Sequence, residues 1–182
     1  ALSDVFLFDA SPPSYPSNNN LTNNTILNFT HYQLNFVSAS INGTYLIDQP
    51  ISIYNFTGTG GKVNFKNSQY GEIRFLQAIN GSGTNLTADV LILNNSATVR
   101  SNVNSGLNRS ANITLYNIGN RFANPIIKRD KAPCGQLCYN FTALNATNVI
   151  FNVSYWTNYE VGGAYDLTAC DVLGNPNSVY NQ

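Results

Sequence analysis

Residues 89–118, DVLILNNSATVRSNVNSGLNRSANITLYNI, alternate short runs of Val, Ile, Leu and Thr with turns rich in Asn, Ser and Gly. In the last run Asn112 and Thr114 are polar, whereas Ile113 and Leu115 are apolar. A period of two places alternate side chains on opposite faces of a strand. The stretch therefore predicts short, half-buried strands rather than a long helix.

The same texture extends along the chain, with turn residues about every eight to twelve positions. The best candidate for helical structure is a short turn near Ser105–Leu107. Many short, regularly spaced strands favour an all-β fold, and we predict a β-sandwich of antiparallel strands, Ig-like or jelly-roll-like. A short β-helix is the alternative, because Asn-rich turns also suit solenoids. The predicted strands are residues 5–8, 26–29, 33–38, 45–47, 51–56, 62–65, 72–78, 89–93, 98–103, 112–118, 126–128 and 149–155.

Asn42-Gly43 lies between two of these predicted strands. An Asn-Gly pair favours a two-residue turn, since both central residues need a positive φ. We therefore predict a β-hairpin at this position.

The chain contains thirteen Asn-x-Ser/Thr triplets, none with Pro in the middle. Random placement of its Asn, Ser and Thr residues would give about five. Such triplets are acceptors for N-linked glycans, which are attached outside the cytoplasm. We therefore expect an extracellular, N-glycosylated protein. The candidate sites are Asn20, Asn23, Asn28, Asn42, Asn55, Asn80, Asn85, Asn94, Asn108, Asn112, Asn140, Asn145 and Asn152.

The composition agrees with a sugar-coated surface. Charged residues make up 10% of the chain and cancel to a net charge of zero, whereas about a quarter is typical of soluble domains. We expect no nucleic-acid partner, because a basic patch is missing. Apolar runs are too short to span a bilayer, so no direct membrane span is predicted. The chain has no Met, and we expect a mature form whose signal segment has been removed.

The N-terminal segment differs from the rest. Val5, Phe6, Leu7 and Phe8 form an apolar run, followed by a Pro- and Asn-rich stretch up to residue 20. Because the Pro-rich part cannot join a sheet, it resembles a linker. We divide the chain into this strand with its linker (1–20) and a single β domain (21–182). The strand either adds to the sheet of a neighbouring subunit, as in donor-strand complementation, or folds back as an edge strand.

The three cysteines fit an oxidising environment. Cys134 and Cys138 flank a short loop, which predicts a disulfide between them. The partner of Cys170 stays open. A zinc site is not expected, since His31 is the only histidine.

Groupings that would support catalysis are missing from the sequence. Residues 58–62, GTGGK, lack the first Gly and the helix of a phosphate-binding loop. His31 has no evident nucleophile beside it, and the spacing of the carboxylates singles out no pair for glycoside hydrolysis. We expect no enzyme activity, no cofactor and no metal. The carboxylates considered are Glu72, Asp89, Asp130, Glu160, Asp166 and Asp171.

Three aromatic residues, Tyr155, Trp156 and Tyr159, lie close together near the end of the last predicted strand. Strand alternation places Trp156 on the outward face, where it and Tyr159 could contact a sugar ring or a partner protein. The alternative is that the cluster caps the core.

Residues 71–162 carry GEIRFLQAI, DVLILNNSATVRSNVNSGLNRSANITLYNI, NPIIKRDKAPCGQLC and VIFNVSYWTNYEVGG. Together these motifs resemble a glycosylated β-rich module of large secreted surface proteins of archaea. The resemblance covers about half of the chain and implies an extracellular β-module without catalytic residues. Such proteins are usually much longer, and a short version with an apolar tail is similar in logic to filament proteins joined by strand exchange.

These observations lead to two expectations about function. The first is a structural subunit of an extracellular archaeal filament, pilus- or thread-like, or of a surface coat. Its partners are further copies of itself, other surface glycoproteins, or host and neighbouring cells, and residues 5–8 form the subunit contact. The alternative is an extracellular carbohydrate-binding or adhesion module that uses Trp156 and Tyr159.

Overall fold

The computed structural model describes residues 5–6 as backbone, and residues 18–24, 31–36, 42–57 and 61–164 in full. Within these ranges the helical elements are short: α1 (Leu86–Asp89) and 3₁₀ turns at Ser105–Leu107 and Gly135–Leu137. The turn at Ser105–Leu107 confirms the sequence prediction. The strands are β1 (Val5–Phe6), β2 (Asn20–Thr22), β3 (Leu34–Asn35), β4 (Thr44–Ile47), β5 (Tyr54–Asn55), β6 (Val63–Asn67), β7 (Gly71–Phe75), β8 (Ser82–Gly83), β9 (Val90–Leu93), β10 (Ser96–Val99), β11 (Ala111–Leu115), β12 (Pro125–Arg129), β13 (Ala132–Pro133), β14 (Cys138–Asn140), β15 (Val149–Val153) and β16 (Asn158–Gly163).

The described strands form three sheets. Sheet I has seven strands in the order β14-β15-β11-β7-β6-β4-β2. Sheet II has four, β1-β3-β5-β8, and sheet III has five, β13-β12-β16-β10-β9. The fold is therefore all-β, as predicted.

Sheets II and III pack on the same face of sheet I. Phe65 and Phe151 lie in one register row of sheet I, through Ile73 and Ile113, and so point to one side. Phe65 contacts Phe56, which follows β5 of sheet II, and Phe151 contacts Tyr159 of sheet III. The buried side chains form one continuous cluster between the layers. This arrangement is a sandwich with one long sheet and a divided second layer.

The strands before residue 67 are parallel, which corrects the prediction of antiparallel pairing for this part. In sheet I, β2 pairs with β4 and β4 with β6, all parallel. In sheet II, β1 pairs with β3 and β3 with β5, also parallel. Because the chain visits the two sheets alternately, it forms coils in which Leu34 lies opposite Tyr54 and Thr44 opposite Val63. The described strands β1 to β6 thus share parallel pairing with the β-helix alternative, whereas β6 to β16 pair as in the predicted antiparallel sandwich.

The predicted hairpin at Asn42-Gly43 is wrong. The preceding strand, β3, belongs to sheet II, whereas the following strand, β4, belongs to sheet I. Gly43 does adopt a positive φ of 73°, and the Asn18 side chain fills the space beside it. Backbone hydrogen bonds from Asn18 N to Asn42 O and from Gly43 N to Lys62 O stack this turn on the coils before and after it. The Asn-Gly pair therefore turns the chain between layers.

Candidate functional site

The apolar N-terminal strand lies at an edge of its own sheet. Val5 and Phe6 pair in parallel with Leu34 and Asn35, and β1 is the outermost strand of sheet II. The ladder is two residues long, so few hydrogen bonds hold it. In this single chain the strand folds back, which was one of the two arrangements expected from the sequence. Leu7 and Phe8 lie outside the described residues.

Exposure divides the glycosylation candidates into two groups. Asn55, Asn112 and Asn152 are half-buried and lie within strands β5, β11 and β15. Asn28 lies outside the described residues. The other nine are exposed, and most of them lie in turns or at strand ends: Asn20, Asn23, Asn42, Asn80, Asn85, Asn94, Asn108, Asn140 and Asn145. The exposed sites thus lie between strands or at the ends of strands.

The half-buried asparagines use their amides inside the protein. Asn152 lies directly opposite Asn112 in sheet I. Its Nδ2 donates to the backbone oxygen of Ala111 at 3.1 Å and to Oδ1 of Asn112 at 3.0 Å. In sheet II, Nδ2 of Asn55 donates to Oδ1 of the buried Asn35 at 3.0 Å. These side chains link neighbouring strands.

Trp156 and Tyr159 are buried, which corrects the prediction that Trp156 points outward. Their exposed fractions are 1% and 0%. Strand β15 ends at Val153, so alternation no longer determines the direction of Trp156. Asn108 Oδ1 accepts from the Trp156 backbone nitrogen at 2.8 Å, and the Trp156 ring packs on Phe75 at 5.7 Å. Trp156 and Tyr159 therefore belong to the core and offer no sugar-stacking surface.

The predicted disulfide between Cys134 and Cys138 is present. It spans the 3₁₀ turn Gly135–Leu137 and leads directly into β14, an edge strand of sheet I. Two aromatic side chains beside it, Tyr139 and Phe141, are exposed, and their ring centroids lie 5.1 Å apart. Cys170 lies outside the described residues.

One buried polar network connects β5 of sheet II with α1 and with the loop that follows β10. The Tyr54 hydroxyl donates to Asp89 Oδ2 at 2.8 Å and accepts from Asn104 Nδ2 at 2.9 Å. Arg100 lies 3.7 Å from Asp89. Burial, followed by the hydrogen bond to Asp89, raises the pKa of Tyr54 well above its usual value. The network satisfies a buried carboxylate.

The described ranges contain His31 and the carboxylates considered from the sequence, except Asp166 and Asp171. Within them, no set of three His, Cys, Asp or Glu side chains is placed to hold a metal ion. His31 is exposed. Asp166 and Asp171 lie outside the described residues. No helix of the described part is long and apolar enough to cross a membrane.

A cleft of about 290 Å³ opens beside the edge strand β9, where the second layer passes from sheet II to sheet III. Its apolar lining includes Leu46, Phe65 and Ile92, and its polar lining includes Asp48 and Gln49. Oε1 of Gln49 is buried without a hydrogen-bond partner among the described residues. The cleft thus has both apolar and polar side chains in its lining.

Comparison with family models, with curated proteins and with solved structures found no match to this chain.

Proposed function

We propose that this protein is a non-catalytic structural subunit of an N-glycosylated extracellular filament or surface coat of archaeal type. Subunits join when the N-terminal strand of one copy adds to the sheet of the next. The observation that carries the proposal is the position of β1, a two-residue strand at the edge of sheet II behind a Pro-rich linker.

Strand exchange follows from domain-swapping logic. An element that pairs with its own chain can make the same pairs with an identical neighbour, so the exchange loses no contacts. Here the element is joined to β2 by a segment with Pro12, Pro13 and Pro16, which disfavours a compact return. The short ladder between Val5–Phe6 and Leu34–Asn35 is the bond to be exchanged.

Glycans suit the outside of such an assembly. The nine exposed sequons are spread from Asn20 to Asn145, and low charge leaves few other solubilising groups. A sugar coat would cover the surface outside the joints, while the edge of sheet II stays available for the incoming strand.

A cysteine pair tests the exchange directly. Val5 and Leu34 are register partners, so Val5→Cys with Leu34→Cys places two thiols within disulfide reach when β1 is paired. Cys170→Ser removes the remaining odd thiol. Exchange predicts covalent multimers on a non-reducing denaturing gel after mild oxidation of assembled material.

The matched control is Lys128→Cys with Glu160→Cys, in the same Cys170→Ser background. These residues are register partners inside sheet III and must link within one chain. A ladder of multimers for the first pair and a single monomer band for the control supports exchange. Monomer bands for both, from material that forms filaments in the electron microscope, would rule out β1 as the joint. If β1 is the joint, a chain that lacks residues 1–12 should stay monomeric.

A second candidate function is a carbohydrate-binding or adhesion module. The cleft beside β9 favours it, because a lining that joins the apolar Leu46 and Phe65 with the polar Gln49 suits a neutral sugar ring. Gln49→Ala should abolish binding on a glycan array, whereas Gln77→Ala, exposed and outside the cleft, should not. Failure of the unsubstituted protein to bind any glycan would remove this candidate.

A further inference from the structure

The side-chain atoms used by each sequon determine whether it can carry a sugar in the folded protein. N-glycosylation joins C1 of a sugar to Nδ2 of Asn. The donor is a glycosyl phosphate: its C1–O bond breaks, the phosphate leaves with the electron pair, and Nδ2 loses one proton. Oδ1 is unchanged and still accepts hydrogen bonds. An Asn that works through Oδ1 is therefore compatible with a glycan, and one that needs both Nδ2 hydrogens is not.

Four exposed sequon asparagines work through Oδ1: Asn42 accepts from Lys62 N at 3.3 Å, and three others make shorter bonds. Asn85 caps α1, and its Oδ1 accepts from Ala88 N at 3.0 Å. Oδ1 of Asn108 accepts from Trp156 N at 2.8 Å. Oδ1 of Asn94, in the turn between β9 and β10, accepts from Arg121 at 2.8 Å. A sugar on Nδ2 leaves all four bonds intact.

Asn152 is the opposite case. Its Nδ2 contacts two acceptors, the Ala111 backbone oxygen and Asn112 Oδ1. The backbone carbonyl fixes the orientation of the amide, since the Asn152 oxygen could not donate to it. Both hydrogens are thus in use between β15 and β11, on a half-buried side chain. A sugar there would break one bond and push the strands apart.

We infer that Asn85, Asn94 and Asn108 carry N-glycans, whereas Asn152 stays unglycosylated and its amide links β15 to β11. This inference rests on the proposed glycoprotein function. It assigns different roles to four sequons that are equivalent in sequence.

Variants of the hydroxyl residue test the assignment without changing the Asn. Ser96→Ala, Ser110→Ala and Ser154→Ala remove the sequons of Asn94, Asn108 and Asn152 respectively. Each variant is produced and secreted by the organism that naturally makes the protein, and its intact mass is measured. Glycopeptide mapping shows whether Asn85 carries a glycan. Ser96→Ala and Ser110→Ala should each lose the mass of one glycan, and Ser154→Ala should lose none beyond its own side-chain oxygen.

The outcomes separate this inference from the proposed function. Loss of a glycan mass in Ser154→Ala, or a bare amide at Asn85, Asn94 or Asn108 while other sequons carry sugar, overturns the inference and leaves a glycoprotein. Absence of sugar from the whole protein overturns both. The expected occupancy pattern without filaments in the electron microscope overturns the filament alone.

Discussion

At the residue scale, the most consequential contacts join residues far apart in sequence. Tyr54, Asp89 and Asn104 meet in one buried network, and Asp89 is 6% exposed. A buried carboxylate is tolerated only where hydrogen bonds or charges satisfy it. No local pattern at any of these positions indicates that they meet. In the sequence Asp89 stands out only as one of several carboxylates, whereas in the structure it is bound by Tyr54 and lies beside Arg100.

Tyr54→Phe removes the central hydroxyl of this network. The buried Asp89 then loses a donor, and the half-buried Asn104 loses an acceptor. We expect the free energy of unfolding to fall by about 1–3 kcal/mol. Thermal or urea unfolding measures this change. The control is Tyr139→Phe, because Tyr139 is 67% exposed. Equal stability of the two variants would contradict a structural role of the network.

The same residue predicts a pH dependence. Burial is the main cause that raises the pKa of Tyr54, and it also raises those of Tyr45, Tyr116 and Tyr159. A raised folded-state pKa means that the folded state holds its proton more tightly, so the stabilisation is complete below the unfolded pKa of about 10 and decreases above it. We expect stability to decline as pH rises beyond about 10, and to decline less in Tyr54→Phe. Urea titrations across this range provide the measurement.

At the element scale, most strands lie where the sequence predicts them, but several are shorter than predicted. The predicted strand 149–155 ends at Val153, and the predicted strand 51–56 shortens to Tyr54–Asn55. Polar strands such as Asn20–Thr22 and Asn158–Gly163 were missed because they lack a dense apolar run. Predicted strand 26–29 lies outside the described residues. Apolar content indicates burial, whereas strand bounds depend on backbone partners.

The turn at Ser105–Leu107 depends on a glycine. A Cβ added at Gly106 would lie 1.3 Å from the backbone oxygen of Asn80. The backbone nitrogen of Asn80 also donates a hydrogen bond to the backbone oxygen of Gly106. Gly106→Ala must therefore shift the backbone, and we expect a loss of about 3 kcal/mol or more. Gly162→Ala is the control, since its Cβ would meet nothing closer than 3.5 Å and its cost should stay within about 1 kcal/mol. Chemical denaturation of both variants decides whether the close approach matters.

The disulfide should stabilise one edge of sheet I. It closes a loop of a few residues next to β14, which pairs with β15. Loss of a small-loop disulfide costs about 2 kcal/mol. In Cys134→Ser with Cys138→Ser, amide exchange should become faster in β14 and stay slow in the central strand β11. Uniformly faster exchange in both strands would show that the bridge stabilises the whole sheet.

At the scale of the whole molecule, a chain of aromatic rings connects the coil region with the antiparallel region. The ring centroids lie 6.3 Å apart for Phe56 and Phe65, 6.0 Å apart for Phe65 and Phe75, and 5.7 Å apart for Phe75 and Trp156. Trp156 in turn contacts Tyr159 of sheet III. Because these rings lie in one buried cluster, we expect both regions to unfold together.

Phe75→Ala tests this cooperativity, since Phe75 is 2% exposed at the middle of the ring chain. We expect a loss of about 3–5 kcal/mol with a single unfolding transition retained. Trp156 fluorescence and amide exchange in β4 should report the same midpoint. Phe141→Ala, 55% exposed, serves as the control and should have little effect. Two separate midpoints in the unsubstituted protein would contradict a shared core.

The sequence by itself determined the all-β class, the disulfide, the 3₁₀ turn and the set of candidate glycosylation sites. Each of these depends on residue type and local spacing: a period of two, two cysteines four positions apart, or an Asn-x-Ser/Thr triplet. The two-layer sandwich also follows, because strands with one apolar face must bury it against another layer.

The tertiary structure decided the properties that depend on non-local partners. Parallel pairing of β4 with β6 joins residues about twenty positions apart. The Asn-Gly sequence alone does not distinguish a hairpin turn from this turn between layers, in which Gly43 has a positive φ and Asn42 does not. Trp156 turned inward because β15 ended before it and Asn108 held its backbone. The amide of Asn152 is engaged because Ala111 and Asn112 lie opposite. In each case the deciding neighbour lies in another strand, and its position is fixed only once the sheets have formed.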